Sequence, residues 1–384
     1  MFDEALVRAR ELDAQFTASG PVGPLHGLPI SLKDSFNVKG VHATVGYVAF
    51  LRNPPAENDS AIVAVLKQLG AIPFVKTNLP QAMMSAESEN LVFGRTLNPN
   101  RLCLTAGGST GGEGALLRMR GSVLGVATDI AGSCRIPALC CGVVGFKPTS
   151  GRIPFSGGVL PGRRGWPAPI IPAVGPEGWS VRDMELFTKV VIEADPWKAD
   201  AGVIAAPWRR PQDVKLRLKL GYIIEEKEKR PLHPPQLKMM TSLLERVGNA
   251  GHALIPLENK VPSLYDTSVL AWKYFLTDPQ KTVIKILQSG RERILGGLAS
   301  LRYPELDNWS ATLDDLWDMN TERDGILKIY HDLVVQHELD GIILPTYQAT
   351  AVPHDTFGIV PYTVLANFLD VSSARCCPEA PSAF

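Results

Sequence analysis

Three short stretches carry side chains whose types and placement bear on chemistry. TDIAGSCRIP, residues 128–137, sets Ser133 behind the two tiny residues Ala131 and Gly132, inside a mainly apolar run. GGSTGG, residues 107–112, sets Ser109 in a glycine-rich turn, and PISLKDSF, residues 29–36, carries Lys33 at the end of an apolar segment. A serine hydroxyl attacks a carbonyl only when something takes its proton. A lysine held in a dry pocket loses proton affinity and can be that acceptor, with a second hydroxyl bridging the two. The tetrahedral intermediate then needs backbone N–H donors aimed at its oxygen. Small residues just before the nucleophile let a substrate come close to such donors.

Other chemistries fit the same stretches less well. Gly107-Gly-Ser109-Thr-Gly111 matches the G-x-S-x-G turn of the nucleophile elbow, but that turn follows an apolar strand, and NRLCLTA is a poor one. None of the downstream histidines, at 233, 252, 331, 337 and 354, sits in a Gly/Ser-rich loop that singles it out. A phosphate cradle would need Gly-x4-Gly-Lys-[Ser/Thr]; GGSTGGEG instead presents an acid, Glu113, where a phosphate wants a base. The scattered histidines give no metal-ligand spacing, and no metal or cofactor is expected.

The elements that must position these residues follow from periodicity. Residues 2–17 have Ala5, Leu6, Ala9 and Leu12 on one helical face. Ile30–Lys33 is a short strand. Residues 61–69 form a helix capped by Asp59 or Ser60 and closed by Gly70, and Ile72–Lys76 is a buried strand. Eleven glycines fall between Gly107 and Gly151. Within that segment Glu113–Met119 predicts a helix, Val123–Thr128 a strand, and Ile136–Cys141 the start of another helix. The helix and strand between Ser109 and Ser133 let the chain fold back and bring both to one point. Residues 155–180, rich in Gly and Pro, predict a surface loop. Beyond them lies a more variable αβ region. LRLKLGYII ends in a strand, QLKMMTSLLERVGNAG is an amphipathic helix closed by glycine, and Leu339–Pro345 is a strand running into a turn. The ending SSARCCPEAPSAF has neither periodicity nor cap and is expected to be a tail.

Composition sets the class. Of 384 residues 45% are hydrophobic and 20% charged, which suits a soluble α/β protein with a sizeable core. Lys+Arg and Asp+Glu both number 39, so nothing steers the chain toward nucleic acid or an anionic membrane. No run of about 18 apolar residues predicts a membrane span. The six cysteines, at 103, 134, 140, 141, 376 and 377, have no zinc spacing and no CxxC. With no signal-peptide pattern at the N-terminus, reduced thiols and a cytoplasmic location are expected.

The joint occurrence of three segments resembles the amidase signature family. GGSTGGEGALLRMRGSVLGVATDIAGSCRIPALCCGVVGFKPTSGR resembles the family's signature, and GPLHGLPISLKDSFNVKG its lysine segment. KTNLPQAMMSAESENLVFGRTLNPN resembles the stretch leading into the signature. The TDIAGS variant, with CCG, GFKP and APWR, is most similar to fungal general amidases and acetamidases.

The resemblance implies an α/β/α sandwich around a large twisted mixed β-sheet, in one domain over residues 1–384. The core signature region is 20–210, the variable substrate region 211–370 and the atypical tail 371–384, and the chain is expected to be shorter than the family at both ends. The family's Ser–cis-Ser–Lys triad carries over to Ser133 as nucleophile, Ser109 as bridging serine after a cis peptide bond, and Lys33 as base. The backbone N–H groups of Ile130, Ala131, Gly132 and Ser133 match the oxyanion hole, Met83 a substrate contact, and Thr128, Asp129 and Arg135 supporting residues. The implied activity is hydrolysis of a small-molecule carboxamide to carboxylate and ammonia or amine through an acyl-enzyme. The alternative is a truncated, catalytically inactive amidase-like protein. The resemblance leaves a homodimer open.

Overall fold

The computed structural model describes residues 1–163, 165, 169–209, 215–226 and 229–376. Its strands are β1 (Pro29–Lys33), β2 (Ile72–Thr77), the short pair β3 (Glu89–Asn90) and β4 (Gly94–Arg95), β5 (Gly125–Asp129), β6 (Val144–Lys147), β7 (Ala173–Gly178), β8 (Lys219–Tyr222), β9 (Ala253–Pro256), β10 (Gly341–Ile343) and β11 (Ser373–Arg375). Six of them form one mixed sheet in the order β11-β6-β7-β5-β1-β2. β2, β1 and β5 run parallel, whereas β5–β7, β7–β6 and β6–β11 are antiparallel.

Alternation along β1 makes the two faces. Ile30 and Leu32 join an apolar cluster with helix α2 (Ala61–Gln68) and helix α5 (Val181–Glu193), reached after α1 (Phe2–Ser19), α3 (Gly111–Arg118) and α4 (Arg135–Cys141). Ser31 and Lys33 project to the opposite face, as a period of two requires. There α3 lies against β1, β2, β5 and β7, and α4 packs on α3.

Beyond α4 the remaining helices are α6 (Pro234–Asn249), α7 (Leu264–Phe275), α8 (Thr282–Ser289), α9 (Gly296–Ala299), α10 (Leu313–His337) and α11 (Pro361–Phe368). A second, parallel sheet, β10-β8-β9, belongs to this part of the chain. Its apolar cluster takes Ile136 and Leu139 of α4 together with residues of α6, α7, α10 and α11, so the variable region is seated on the signature region.

Helices over 2–19, 61–68, 111–118, 135–141 and 234–249 and strands at 29–33, 72–77, 125–129, 219–222 and 341–343 stand where periodicity put them, within a few residues. Ser60 holds the N-cap position of α2, but its hydroxyl makes no capping bond. Asp59 instead accepts the Lys39 N–H and the Lys67 ammonium.

Two expectations fail. Residues 155–180 are not all surface loop, because β7 runs buried between β5 and β6. Its sequence, AVGPEG, lacks an alternating apolar pattern, and proline ordinarily counts against a central strand. Pro176 is tolerated because the ladder to β6 is formed only at Glu177 and Gly178, so its missing N–H is not needed on that side. The tail is also partly structured: Ser373–Arg375 pairs antiparallel with Lys147–Gly145 at the sheet edge. That strand is held by backbone pairing, which a three-residue polar segment does not advertise. The rest of the expected tail, 377–384, lies outside the described residues.

Candidate active site

Lys33 ends β1 and is wholly buried. Its Nζ donates to Ser109 Oγ at 2.7 Å and to Thr128 Oγ1 at 3.0 Å, and reaches Thr128 O at 3.5 Å. The parallel register Leu32↔Val126 places Thr128 at the same end of the sheet. Ser109 arrives from the turn before α3, after a cis Gly108–Ser109 peptide bond. That turn is packed so tightly that a Cβ on Gly108 would lie 2.5 Å from Ser85 O and 2.8 Å from Glu87 N. Only glycine fits there.

Burial pulls the Lys33 amine down to about 8, against the resistance of the nearby Cys134, Glu177, Asp129 and Glu113. A neutral amine has two N–H donors and one lone pair. With one N–H on each of Thr128 Oγ1 and O, the neutral form would turn its lone pair to the Ser109 hydroxyl in place of the donated bond.

Ser133 sits at the turn between β5 and α4 and keeps 9% of its surface exposed. It lines a cavity of about 370 Å³, counting the part open to solvent, with Met83, Ile130, Ala131 and Gly108. The cavity's far wall is Trp272 and Phe275 of α7, with Leu301 and Val360. Met83 and its neighbour Ala82 both have left-handed φ, 54° and 58°, an uncommon conformation for residues with a Cβ.

The loop before Ser133 is held from below. Asp129, fully buried, accepts Arg135 Nε at 3.0 Å and Arg135 Nη2 at 2.9 Å, the Cys134 N–H at 3.0 Å and the Gly132 N–H at 2.8 Å. Burial works to raise the Asp129 carboxyl. The Arg135 charge and hydrogen bonds, with Lys147 and the Cys134 N–H, overcome it and hold the group well below the usual carboxylate range. Arg135 also donates to Asn367 Oδ1 at 2.8 Å, and Thr363 Oγ1 donates to Ala131 O at 2.6 Å, which ties the loop to α11.

The expected site residues therefore fall into two groups. Lys33, Ser109 and Thr128 form one, while Ser133, Met83, Ile130 and Ala131 border one cavity, supported by Asp129 and Arg135. Gly132 departs from its expected role as an oxyanion donor. Its N–H is committed to Asp129, whereas those of Ile130, Ala131 and Ser133 make no internal hydrogen bond among the described residues. Gly132 matters for shape instead. Its φ is +127°, and a Cβ there would lie 2.6 Å from Thr363 Cβ. Sequence reasoning missed Thr363, Asn367, Trp272 and Phe275. All four belong to helices whose apolar periodicity signals burial and not the neighbour they meet.

Comparison with known proteins gives the family. The family model described as Amidase matches residues 1–377. An amidase of Gibberella moniliformis is 38% identical over 381 residues, 97% of this chain and 70% of that protein. An acetamidase of Emericella nidulans is 35% identical, over 97% of this chain and 69% of its own length. Among solved structures, a fatty acid amide hydrolase superposes with a TM-score of 0.90 at 32% identity, covering 97% of this chain and 65% of that one. The chain thus spans about two thirds of the length of these proteins. It belongs to the amidase signature family, a class of hydrolases that cleave amide C–N bonds. No helix among the described residues is long and apolar enough to cross a membrane.

Proposed function

We propose that this chain hydrolyses a small-molecule carboxamide through a seryl ester at Ser133, armed by Lys33 through Ser109. The observation that carries this reading is the 2.7 Å contact between a wholly buried lysine amine and the Ser109 hydroxyl. Neutral Lys33 accepts the Ser109 proton as Ser109 accepts that of Ser133. The Ser133 oxygen bonds to the carbonyl carbon, and the carbonyl π pair moves to oxygen, facing the N–H groups of Ile130, Ala131 and Ser133. Collapse breaks the C–N bond. The proton on Lys33 returns through Ser109 to the departing nitrogen, which leaves as ammonia or amine. Water then attacks the ester by the same relay, releasing carboxylate and free Ser133.

The cavity wall argues for the substrate's acyl side. Met83, Ile130, Trp272, Phe275, Leu301 and Val360 offer an apolar surface and no charged side chain. An acyl group larger than acetyl, aliphatic or aryl, gains there by burial. The buried thiols of Cys134, Cys140 and Cys141 suit a cytoplasmic setting. The test is turnover of hexanamide and benzamide with mass analysis of the quenched enzyme. An acyl adduct on the peptide containing Ser133, absent in Ser133→Ala, is expected. Turnover that persists in Ser133→Ala would overturn the reading.

A further inference from the structure

Glu113 stands four residues after Ser109, in the first turn of α3, and is wholly buried. Ser31 Oγ donates to its Oε2 at 2.5 Å and Thr77 Oγ1 to its Oε1 at 2.9 Å. Ser31 lies two residues before Lys33 on β1, on the same face, and Thr77 is the register partner of Lys33 on β2. One carboxyl thus joins the helix that begins at the Ser109 turn to both strands that hold Lys33. The sheet leaves room for it: a Cβ on Gly125 of β5 would lie 3.0 Å from Glu113 Cδ. Gly125 pairs in turn with Glu177 of β7, whose two oxygens are buried and without a hydrogen-bond partner among the described residues. Packing alone would be better served by apolar side chains, because burying a carboxyl is costly.

We propose that Glu113 is a positioning residue for the reaction, a buried clamp that fixes Ser109 against Lys33 and whose charge sets how readily the lysine gives up its proton. The inference rests on the reading of Lys33 as the base. The groups facing Lys33 are Glu113 from α3, Glu177 from β7, Asp129 from the end of β5 and Cys134 from the turn before α4. Asp129 is matched by Arg135. Burial pushes the Cys134 thiol and the Glu177 carboxyl well above their usual ranges. From β2 comes the neutral Thr77, and Asp34, next in the chain, is turned to Lys76 and Thr44. Glu113 remains as the acid that ionises near neutrality: burial raises it to about 7 against its two hydrogen bonds and the Lys33 charge. An ionised Glu113 favours the ammonium form of Lys33, so removing that charge lets the amine deprotonate at lower pH.

The experiment measures kcat and KM against pH for Glu113→Gln, Glu113→Ala and Lys33→Ala beside the wild type. Glutamine can bridge the same two hydroxyls without the charge, its Oε1 accepting from one and its Nε2 donating to the other. The acid limb of kcat/KM in Glu113→Gln is expected to move down by roughly half a pH unit or more. Glu113→Ala, lacking the clamp, is expected to lose about 100-fold in kcat at every pH with KM little changed. An acid limb that stays in place in Glu113→Gln, or a wild-type kcat in Glu113→Ala, overturns the inference; if Glu113→Ala does not fold, Glu113→Gln decides. Full activity in Lys33→Ala would instead overturn the assignment of the base, a separate outcome.

Discussion

Asp129 holds Arg135 by two hydrogen bonds, at 3.0 and 2.9 Å, while the same carboxylate takes the N–H groups of Gly132 and Cys134 on either side of Ser133. The turn that presents the proposed nucleophile is therefore fastened to a buried ion pair. Arg135→Met is expected to leave Asp129 buried without its partner, at a cost of about 3–5 kcal/mol, read as a large fall in melting temperature. The sign with pH follows from the depressed Asp129 carboxyl. Its stabilisation is fully present above the ordinary value of about 3.9 and is lost as pH falls below it toward the folded value. Acid unfolding should begin at higher pH in the variant than in the wild type.

Thr128→Val tests how the amine of Lys33 is aimed. The substitution removes the acceptor at 3.0 Å and keeps the side chain's shape. With one of its N–H groups unmatched in a buried site, the amine is no longer held with its lone pair toward Ser109. A fall in kcat of about 10- to 100-fold with little change in KM is expected from steady-state kinetics on one good substrate.

Gly132→Ala should deform the same turn from the other side. The glycine's φ of +127° and the nearness of Thr363 leave no space for a Cβ. A stability loss of about 1–3 kcal/mol in denaturant melts is expected, together with lower kcat.

The apolar wall predicts a substrate trend. Each added acyl methylene that enters the cavity should contribute about 0.8 kcal/mol, or roughly fourfold in kcat/KM, until the space is filled. Trp272→Ala opens the wall and should flatten that trend between acetamide and hexanamide. A competition assay over the homologous series measures it.

Much of this was legible in the sequence, and what was missed was missed for physical reasons. Lys33, Ser109 and Ser133 stand out because local chemistry marks them: a lysine closing an apolar strand, and serines beside glycines where no bulk is allowed. β1, β2 and β5 and helices α2–α4 carry periodic apolar residues and were placed to within a few positions. β7 was hidden because Pro176 and two glycines replace the apolar alternation, while its burial comes from neighbours on both sides. Asn367, Thr363 and Trp272 reach the site across more than a hundred residues of chain, and no local pattern announces a tertiary partner. Glu113 was visible only as an acid ill-suited to phosphate; its bonds to Ser31 and Thr77 exist only once α3 lies on the sheet.

The account turns on whether the buried amine of Lys33 arms Ser133. The most direct measurement is the rate at which a fluorophosphonate labels Ser133 as a function of pH, in the wild type and in Lys33→Ala. With the amine held down to about 8, the wild-type rate should climb through neutral pH and level off above pH 8. Lys33→Ala, still folded by its melting curve, should label orders of magnitude more slowly and without that rise. Labelling of Ser133 in Lys33→Ala at the wild-type rate and with the wild-type pH dependence would contradict the account.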